Sequence, residues 1–267
     1  MFITLLTDFG TADYFVGALK GAILSVNEDA RIFDLTHDIA PHDIKAAAFT
    51  LLAAYKTFPA RTIHLAVVDP GVGSARLPVL VCAGDYFFIG PDSGLFSFVI
   101  ERESPVRVFH LTRGEFFRQP VSATFHGRDL FAPVAGALSK GVRPEELGAE
   151  IADAVRLAPL APKPLSDGTI EAAIIHIDRF GNCITNLTRS ELTDEMIARQ
   201  ARLWINGTEV KSFRRFFNQS DAQAGELFAL WGSAGFLEIC LNRASAAQLL
   251  QARVGQPVML EERKEKR

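Results

Sequence analysis

The stretch Ala66-Val67-Val68-Asp69-Pro70-Gly71-Val72-Gly73-Ser74-Ala75-Arg76 sets the terms for the rest of the chain. An apolar, β-rich run over residues 62–68 ends in a carboxylate, then a glycine-rich turn, then an arginine. Continuous apolar runs of this kind mark strands buried on both faces of a parallel sheet. Ligands of open α/β sheets bind beyond the carboxyl ends of the strands, which is where Asp69 stands. Gly71 and Gly73 carry no Cβ to hold a ligand off the backbone. The plain alternative is a tight turn whose Asp69 and Arg76 pair at the surface.

Outward from this stretch, strand and helix signals alternate. Residues 2–6 read as a strand, 14–26 as an amphipathic helix, 31–35 as a strand and 44–55 as an Ala-rich helix. Residues 78–83 and 86–89 form a hairpin around Gly84-Asp85. Residues 95–101 read as helix, 106–111 as strand and 130–140 as helix. This is the signature of an α/β fold: an N-terminal Rossmann-like α/β domain with a mainly parallel sheet, residues 1–157. Pro159, Pro162 and Pro164 then make 158–169 a linker through which neither helix nor sheet should run. Residues 170–267 read as a smaller, mostly-β domain, barrel or sandwich. Its strands are 169–177, a hairpin 201–205/208–212 turning at Asn206-Gly207, then 227–231, 236–241 and 257–261, with a short helix at 244–251.

The 267 residues carry a net charge of −3, which gives no general attraction to nucleic acid or to an anionic membrane. The basic end, Arg263-Lys264-Glu265-Lys266-Arg267, should fray in solvent. No apolar run approaches the roughly 20 residues of a membrane span. Met1 leads straight into a strand-like segment, so no secretory leader is expected and the expected location is cytoplasmic. Cys82, Cys183 and Cys240 lie far apart in apolar surroundings and read as buried free thiols.

Several polar clusters carry chemistry. Thr7-Asp8-Phe9-Gly10 contains the Asp-Phe-Gly triplet of protein kinases, but too few residues precede it for a kinase glycine-rich loop and strand lysine. Asp8 is then a carboxylate at a strand's carboxyl end, able to accept ribose hydroxyls, or else a helix cap. The glycines at 71 and 73 imitate a dinucleotide fingerprint, but Arg76 replaces the third glycine and a Walker lysine is missing. Thr124-Phe125-His126-Gly127-Arg128-Asp129 offers a histidine that titrates near neutrality, or one satisfied at a helix start. His37-Asp38 and His42-Asp43 raise a metal option that needs further ligands from elsewhere. Around Asp178-Arg179-Phe180-Gly181-Asn182, Phe180 can stack on a flat ring and Asn182 can pair with a base edge; otherwise this is a hairpin loop. Trp231-Gly232-Ser233 is a second glycine turn.

Taken in order, Thr-Asp-Phe-Gly at 7–10, Val-Asp-Pro-Gly-Val-Gly at 68–73, Gly-Pro-Asp-Ser-Gly at 90–94, Thr-Phe-His-Gly-Arg-Asp at 124–129, Asp-Arg-Phe-Gly-Asn at 178–182 and Gly-Ser at 232–233 span nearly the whole chain. In this the chain resembles the S-adenosylmethionine hydrolases, or S-adenosyl-L-methionine hydroxide adenosyltransferases, relatives of the fluorinases and chlorinases. The resemblance implies conversion of S-adenosylmethionine and water to adenosine and L-methionine, without a cofactor or metal. It implies a homotrimer, or a dimer of trimers, whose sites lie between the N-terminal domain of one subunit and the C-terminal domain of its neighbour. Asp69, Arg76 and His126 match the residues that handle the water, and Asp8 matches the ribose-binding carboxylate. Asp13 and Asp178 match acids near the methionine ammonium, Phe180 and Asn182 match adenine contacts, and Ser233 matches a turn that meets the ligand through its backbone. Asp69 and Gly127 follow the hydrolase pattern; fluorinases carry a tyrosine and a serine there. His42 stands where fluorinases carry a tryptophan. The connection 214–223 looks longer than usual, with Phe217 a candidate for the adenine-stacking aromatic. A halide adenosyltransferase and a non-catalytic adenosine-binding protein are the alternatives; an anion beside Asp69 would be repelled.

Overall fold

The decisive strand folds as β3 (Ile63–Val67), with every residue buried, in the computed structural model. The structure describes residues 1–152, 154–217 and 225–262. Two compact units divide the chain, Met1–Pro159 and Leu160–Arg267.

In the first unit, β1 (Phe2–Thr7), α1 (Phe15–Val26), β2 (Arg31–Thr36) and α2 (Ile44–Ala54) precede β3. After it come β4 (Pro78–Ala83), β5 (Tyr86–Pro91), α3 (Ser97–Arg102), β6 (Val106–Leu111), α4 (Ala132–Ser139), α5 (Pro144–Leu147) and β7 (Gly148–Ile151). The sheet order is β2-β1-β3-β5-β4-β6-β7. The pairings of β1 with β2, β1 with β3 and β3 with β5 are parallel; those of β4 with β5, β4 with β6 and β6 with β7 are antiparallel. The expected mainly parallel sheet is therefore parallel on one side and antiparallel on the other. The tight turn at Gly84-Asp85 reverses the chain, and a hairpin can only be antiparallel.

Alternation along the strands sorts the core. Ile3, Leu5, Ile63, Leu65, Leu80 and Ile89 pack in one cluster with Leu19 and Ile23 of α1 and Val134, Ala135 and Leu138 of α4. On α1 the buried residues Leu19, Ala22 and Ile23 recur at helical spacing. Thr4, His64 and Phe88 fall in the other register, where His64 stacks on Phe88 with ring centroids 5.1 Å apart. Asp43 caps α2 by accepting from the Ala46 amide, 2.9 Å away. Asp92 of the Gly-Pro-Asp-Ser-Gly stretch and the nearby Ser97 hold the chain that follows β7: Asp92 Oδ1 accepts from the Val155 amide and Ser97 Oγ from the Leu157 amide, each at 2.8 Å.

The second unit contains β8 (Lys163–Pro164), β9 (Ile170–Ile177), β10 (Cys183–Thr185), α6 (Asp194–Ala198), β11 (Arg202–Ile205), β12 (Thr208–Val210) and β13 (Ser212–Phe213). It is completed by β14 (Leu227–Trp231), β15 (Leu237–Leu241), α7 (Ala246–Leu250) and β16 (Pro257–Glu261). Its 9-stranded sheet runs β12-β11-β16-β9-β10-β15-β14-β13, with β8 beside β9. Two expectations are corrected. The proline-rich piece does join a sheet, because Lys163 and Pro164 pair at an edge, where proline's missing donor costs least. The second arm of the 201–212 hairpin breaks after Val210: Ser212 and Phe213 leave β11 and pair in parallel with Phe228 and Ala229. Cys183 and Cys240 are buried and Cys82 is half-buried, short of full burial. Among the described residues no helix is long and apolar enough to cross a membrane. The basic end 263–267 lies outside the described residues.

Candidate active site

Asp69 follows β3 by two residues, and the turn after it returns the chain so that Arg76 faces it. Arg76 Nε lies 2.9 and 3.1 Å from the two carboxylate oxygens of Asp69, and Nη2 also donates to Oδ2. The same Nη2 lies 2.7 Å from His126 Nδ1. Side-chain exposure is 11% for Arg76 and 7% for Asp69, so the pair sits largely out of water. Desolvation offsets much of the attraction in such a pair, which makes it a poor investment for stability alone.

Gly73 permits the close approach. Its φ is 78°, and a Cβ there would lie 2.5 Å from the carbonyl oxygen of Ala123. The 69–76 turn thereby lies against the segment that carries His126. His126 caps a π-helical turn, Gly127–Phe131, which continues into α4. The helix thus begins earlier than residue 130, in a geometry that is rare and often found at functional sites. Buried Asp129 organises this turn. It accepts from the Ser122 amide at 2.9 Å and from Arg128 Nε and Nη2 at 2.6 and 2.8 Å. Burial alone would raise the Asp129 pKa, but Arg128 and the Ser122 amide hold it below its ordinary value.

The guanidinium has donors and no acceptor, so His126 Nδ1 must accept from it. His126 is therefore neutral, with its proton on Nε2. Burial, followed by the charge of Arg76, lowers its pKa below 6.5, against the opposing pull of Asp69 and Asp129.

Asp8 stands just past β1. Its Oδ2 accepts from the His42 amide at 2.9 Å, and the exposed His42 ring lies 4.0 Å away. His42 has a φ of 68°, uncommon for a side chain with a Cβ. Asp13 lies exposed in the bend ahead of α1. Among the described residues no three His, Cys, Asp or Glu side chains converge as a metal ligand set.

In the second unit, Phe180 and Asn182 line a cavity of about 490 Å³ together with Phe217, Leu241, Arg243, Ala244 and Ser245. That volume suits a small-molecule ligand. Phe180 is 78% exposed, which is unusual for so apolar a ring. Asp178 builds the loop beneath it. Oδ1 accepts from the Phe180 and Asn182 amides at 2.9 and 2.8 Å, and Oδ2 from Asn182 Nδ2 at 2.9 Å. Gly181 has a φ of 82°, and a Cβ there would stand 2.0 Å from Ser245 Oγ. Ser233 is exposed in the turn between β14 and β15 and does not line the cavity. Sequence reasoning passed over Arg243, Ala244 and Ser245. The available signal was Asn242-Arg243-Ala244-Ser245, a polar break directly after an apolar strand.

Comparison with known proteins identifies the family of the chain. Residues 3–148 match the family described as SAM hydroxide adenosyltransferase N-terminal domain, and residues 172–259 match its C-terminal domain. The chain is 36% identical over 265 residues to the (R)-S-adenosyl-L-methionine hydrolase of Thermus thermophilus, covering 97% of this chain and 98% of that one. It is 26% identical over 282 residues to a fluorinase of an Actinoplanes species, with 95% of each covered. A solved structure, an uncharacterized conserved protein from Thermotoga maritima, superposes with a TM-score of 0.90 at 32% identity, covering 97% of this chain and 99% of that one.

Proposed function

The chain belongs to the SAM hydroxide adenosyltransferase family, and on that premise we propose how its own residues carry the reaction. The activity is hydrolysis of S-adenosyl-L-methionine to adenosine and L-methionine. Water oxygen bonds to the ribose C5′ as the C5′–S bond breaks, and the electron pair stays on sulfur as a neutral thioether. One proton leaves the water. The leaving group needs no protonation, and in this reading the chain's own residues carry the reaction without a cofactor or metal. The protein's task is to hold water in line and take its proton, and positioning alone can contribute up to roughly 7–11 kcal/mol.

The observation that carries this reading is the convergence of Asp69, Arg76 and His126. Nδ1 of His126 is occupied by Arg76 and Nε2 already bears a proton, so Asp69 is the acceptor. Its two oxygens retain lone pairs beyond those bound by Arg76. Arg76 favours the developing hydroxide as a fixed charge, and His126 donates from Nε2 to orient it. Asp8 takes the ribose hydroxyls, while Phe180, Asn182 and Phe217 take the adenine. Asp13 and Asp178 stand near the methionine ammonium, with the Ser233 turn meeting the ligand through its backbone.

A halide adenosyltransferase would need an anion where Asp69 sits. Incubation with S-adenosylmethionine in ¹⁸O-water, with and without chloride or fluoride, tests the assignment. Adenosine labelled at its 5′ oxygen is expected in every arm. A 5′-halogenated nucleoside, or no nucleoside, overturns it.

The assembly in this reading is a homotrimer. The water-handling groups of one copy serve the adenine cavity of a neighbouring copy. Mixing Asp69→Asn subunits with Phe180→Ala/Asn182→Ala subunits should restore part of the activity that each lacks alone. No recovery after subunit exchange would show that each copy completes its own site.

A further inference from the structure

Thr7 and Gly10, which bracket Asp8 and Phe9, are both bonded to His37. Thr7 Oγ1 lies 2.8 Å from His37 Nδ1. The Phe9 amide donates to the same Thr7 oxygen at 3.2 Å. The Gly10 amide donates to the His37 carbonyl oxygen at 2.8 Å. Thr7 is fully buried and His37 is 5% exposed, so water does not compete for these bonds.

On the far side of the ring, His37 Nε2 stands 3.1 Å from Asp34 Oδ1. The N–H axis does not point straight at that oxygen, which makes this a close electrostatic approach and not a linear hydrogen bond. Lys20 Nζ donates to the other Asp34 oxygen at 2.7 Å. A carboxylate so near Nε2 places the ring proton there. Nδ1 is then a lone pair, and the Thr7 hydroxyl must donate to it. That hydroxyl has one proton, so toward Phe9 its oxygen can only accept.

His64 provides the contrast within the same sheet. It meets the hydroxyl of Thr4 at 2.7 Å, as His37 meets that of Thr7. Its other ring contacts are Tyr55, Phe58, Tyr86 and Phe88, and among the described residues no carboxylate pairs with it. A histidine serving only to fill the core needs no acid behind it; His37 has one, and the line it completes ends at the loop carrying Asp8.

We propose that His37 is a positioning residue for the ribose-binding carboxylate. Lys20, Asp34, His37 and Thr7 form a polar line that fixes the 8–10 loop, so that Asp8 presents its free oxygen to the 2′ and 3′ hydroxyls. The inference rests on the reading of Asp8 as the ribose acceptor.

The test is calorimetric binding of adenosine and 2′-deoxyadenosine, read as the ratio of the two affinities. The wild-type protein should prefer adenosine by about tenfold or more, as expected for a hydrogen bond to a charged group. Asp8→Ala should abolish that preference. Thr7→Val and His37→Leu should reduce it to within about threefold of unity, and His37→Asn, which keeps an acceptor near the Nδ1 position, should recover much of it. A merely structural role would lower the melting temperature and leave the ratio unchanged. If Asp8→Ala itself leaves the ratio intact, the ribose reading fails. If Asp8→Ala collapses the ratio while folded Thr7→Val retains it, the positioning role of His37 is overturned. Thr7→Val carries the test should His37→Leu fail to fold, because valine preserves the threonine shape.

Discussion

The guanidinium of Arg76 joins Asp69 to His126 Nδ1, which it approaches to 2.7 Å. An arginine that bridges an acid and an imidazole dictates the state of both. It keeps Asp69 among its own donors, and it requires the imidazole to be neutral.

That requirement sets the pH dependence. His126 has its pKa lowered by burial and by Arg76, so it stays neutral to a pH below the ordinary 6.5. Protonation would turn Nδ1 from an acceptor into a donor facing a cation. Activity should therefore hold on descending through pH 6.5 and fall only at lower pH. The same shift has a stability consequence. The unfolded chain gains this proton first, so stability declines as pH drops below 6.5 and levels off once the folded histidine is also protonated. A pH–rate profile whose acidic limb lies at or above 6.5 would contradict the assignment.

Lysine cannot replace Arg76. One ammonium cannot reproduce a fork that reaches both Asp69 oxygens and His126. Arg76→Lys, Asp69→Asn and His126→Ala should each slow turnover by about 100-fold or more, with adenosine affinity little changed. Single-turnover rates beside adenosine titrations separate the two effects. Unchanged turnover in all three variants would remove the cluster from the chemistry.

Gly73→Ala should damage the site without touching a polar side chain. The added methyl meets the Ala123 carbonyl at 2.5 Å, at a φ of 78°. The expected cost is about 1–3 kcal/mol of stability, together with reduced turnover as the turn pulls away from the His126 segment. Chemical denaturation and kcat measure the two parts. A variant with wild-type values of both would show that the close approach is dispensable.

Phe180 offers the opposite case. It is 78% exposed and contributes little burial in the free protein. Phe180→Ala should leave stability within about 0.5 kcal/mol. Adenosine affinity should fall by about tenfold or more, since stacking on a base contributes roughly 1–3 kcal/mol. Equal losses of stability and affinity would make Phe180 a core residue and not a ligand platform.

Much of this was legible from local pattern. The run over 62–68 foretold a buried strand, and the Asn206-Gly207 turn foretold the β11–β12 hairpin. Short elements of mixed polarity left little trace. The edge strand β7 alternates weakly, and β10 has only three residues. The parallel pairing of Ser212 and Phe213 could not be anticipated either, because partner choice depends on strands far along the chain.

The sequence by itself determined the order of the longer strands and helices and the motifs that bear polar groups. These follow from hydrophobic periodicity and turn chemistry, which act over a few residues. It also placed Asp69 and Arg76 on one loop, seven residues apart. Tertiary structure alone decided that His126, 50 residues beyond Arg76, meets the guanidinium through Nδ1, and that His37, 30 residues beyond Thr7, stands behind the Asp8 loop. Those contacts depend on sheet order and on backbone approaches such as that of Gly73 to Ala123. Such distances between remote residues arise only when the strands have been laid side by side and the core between them has closed.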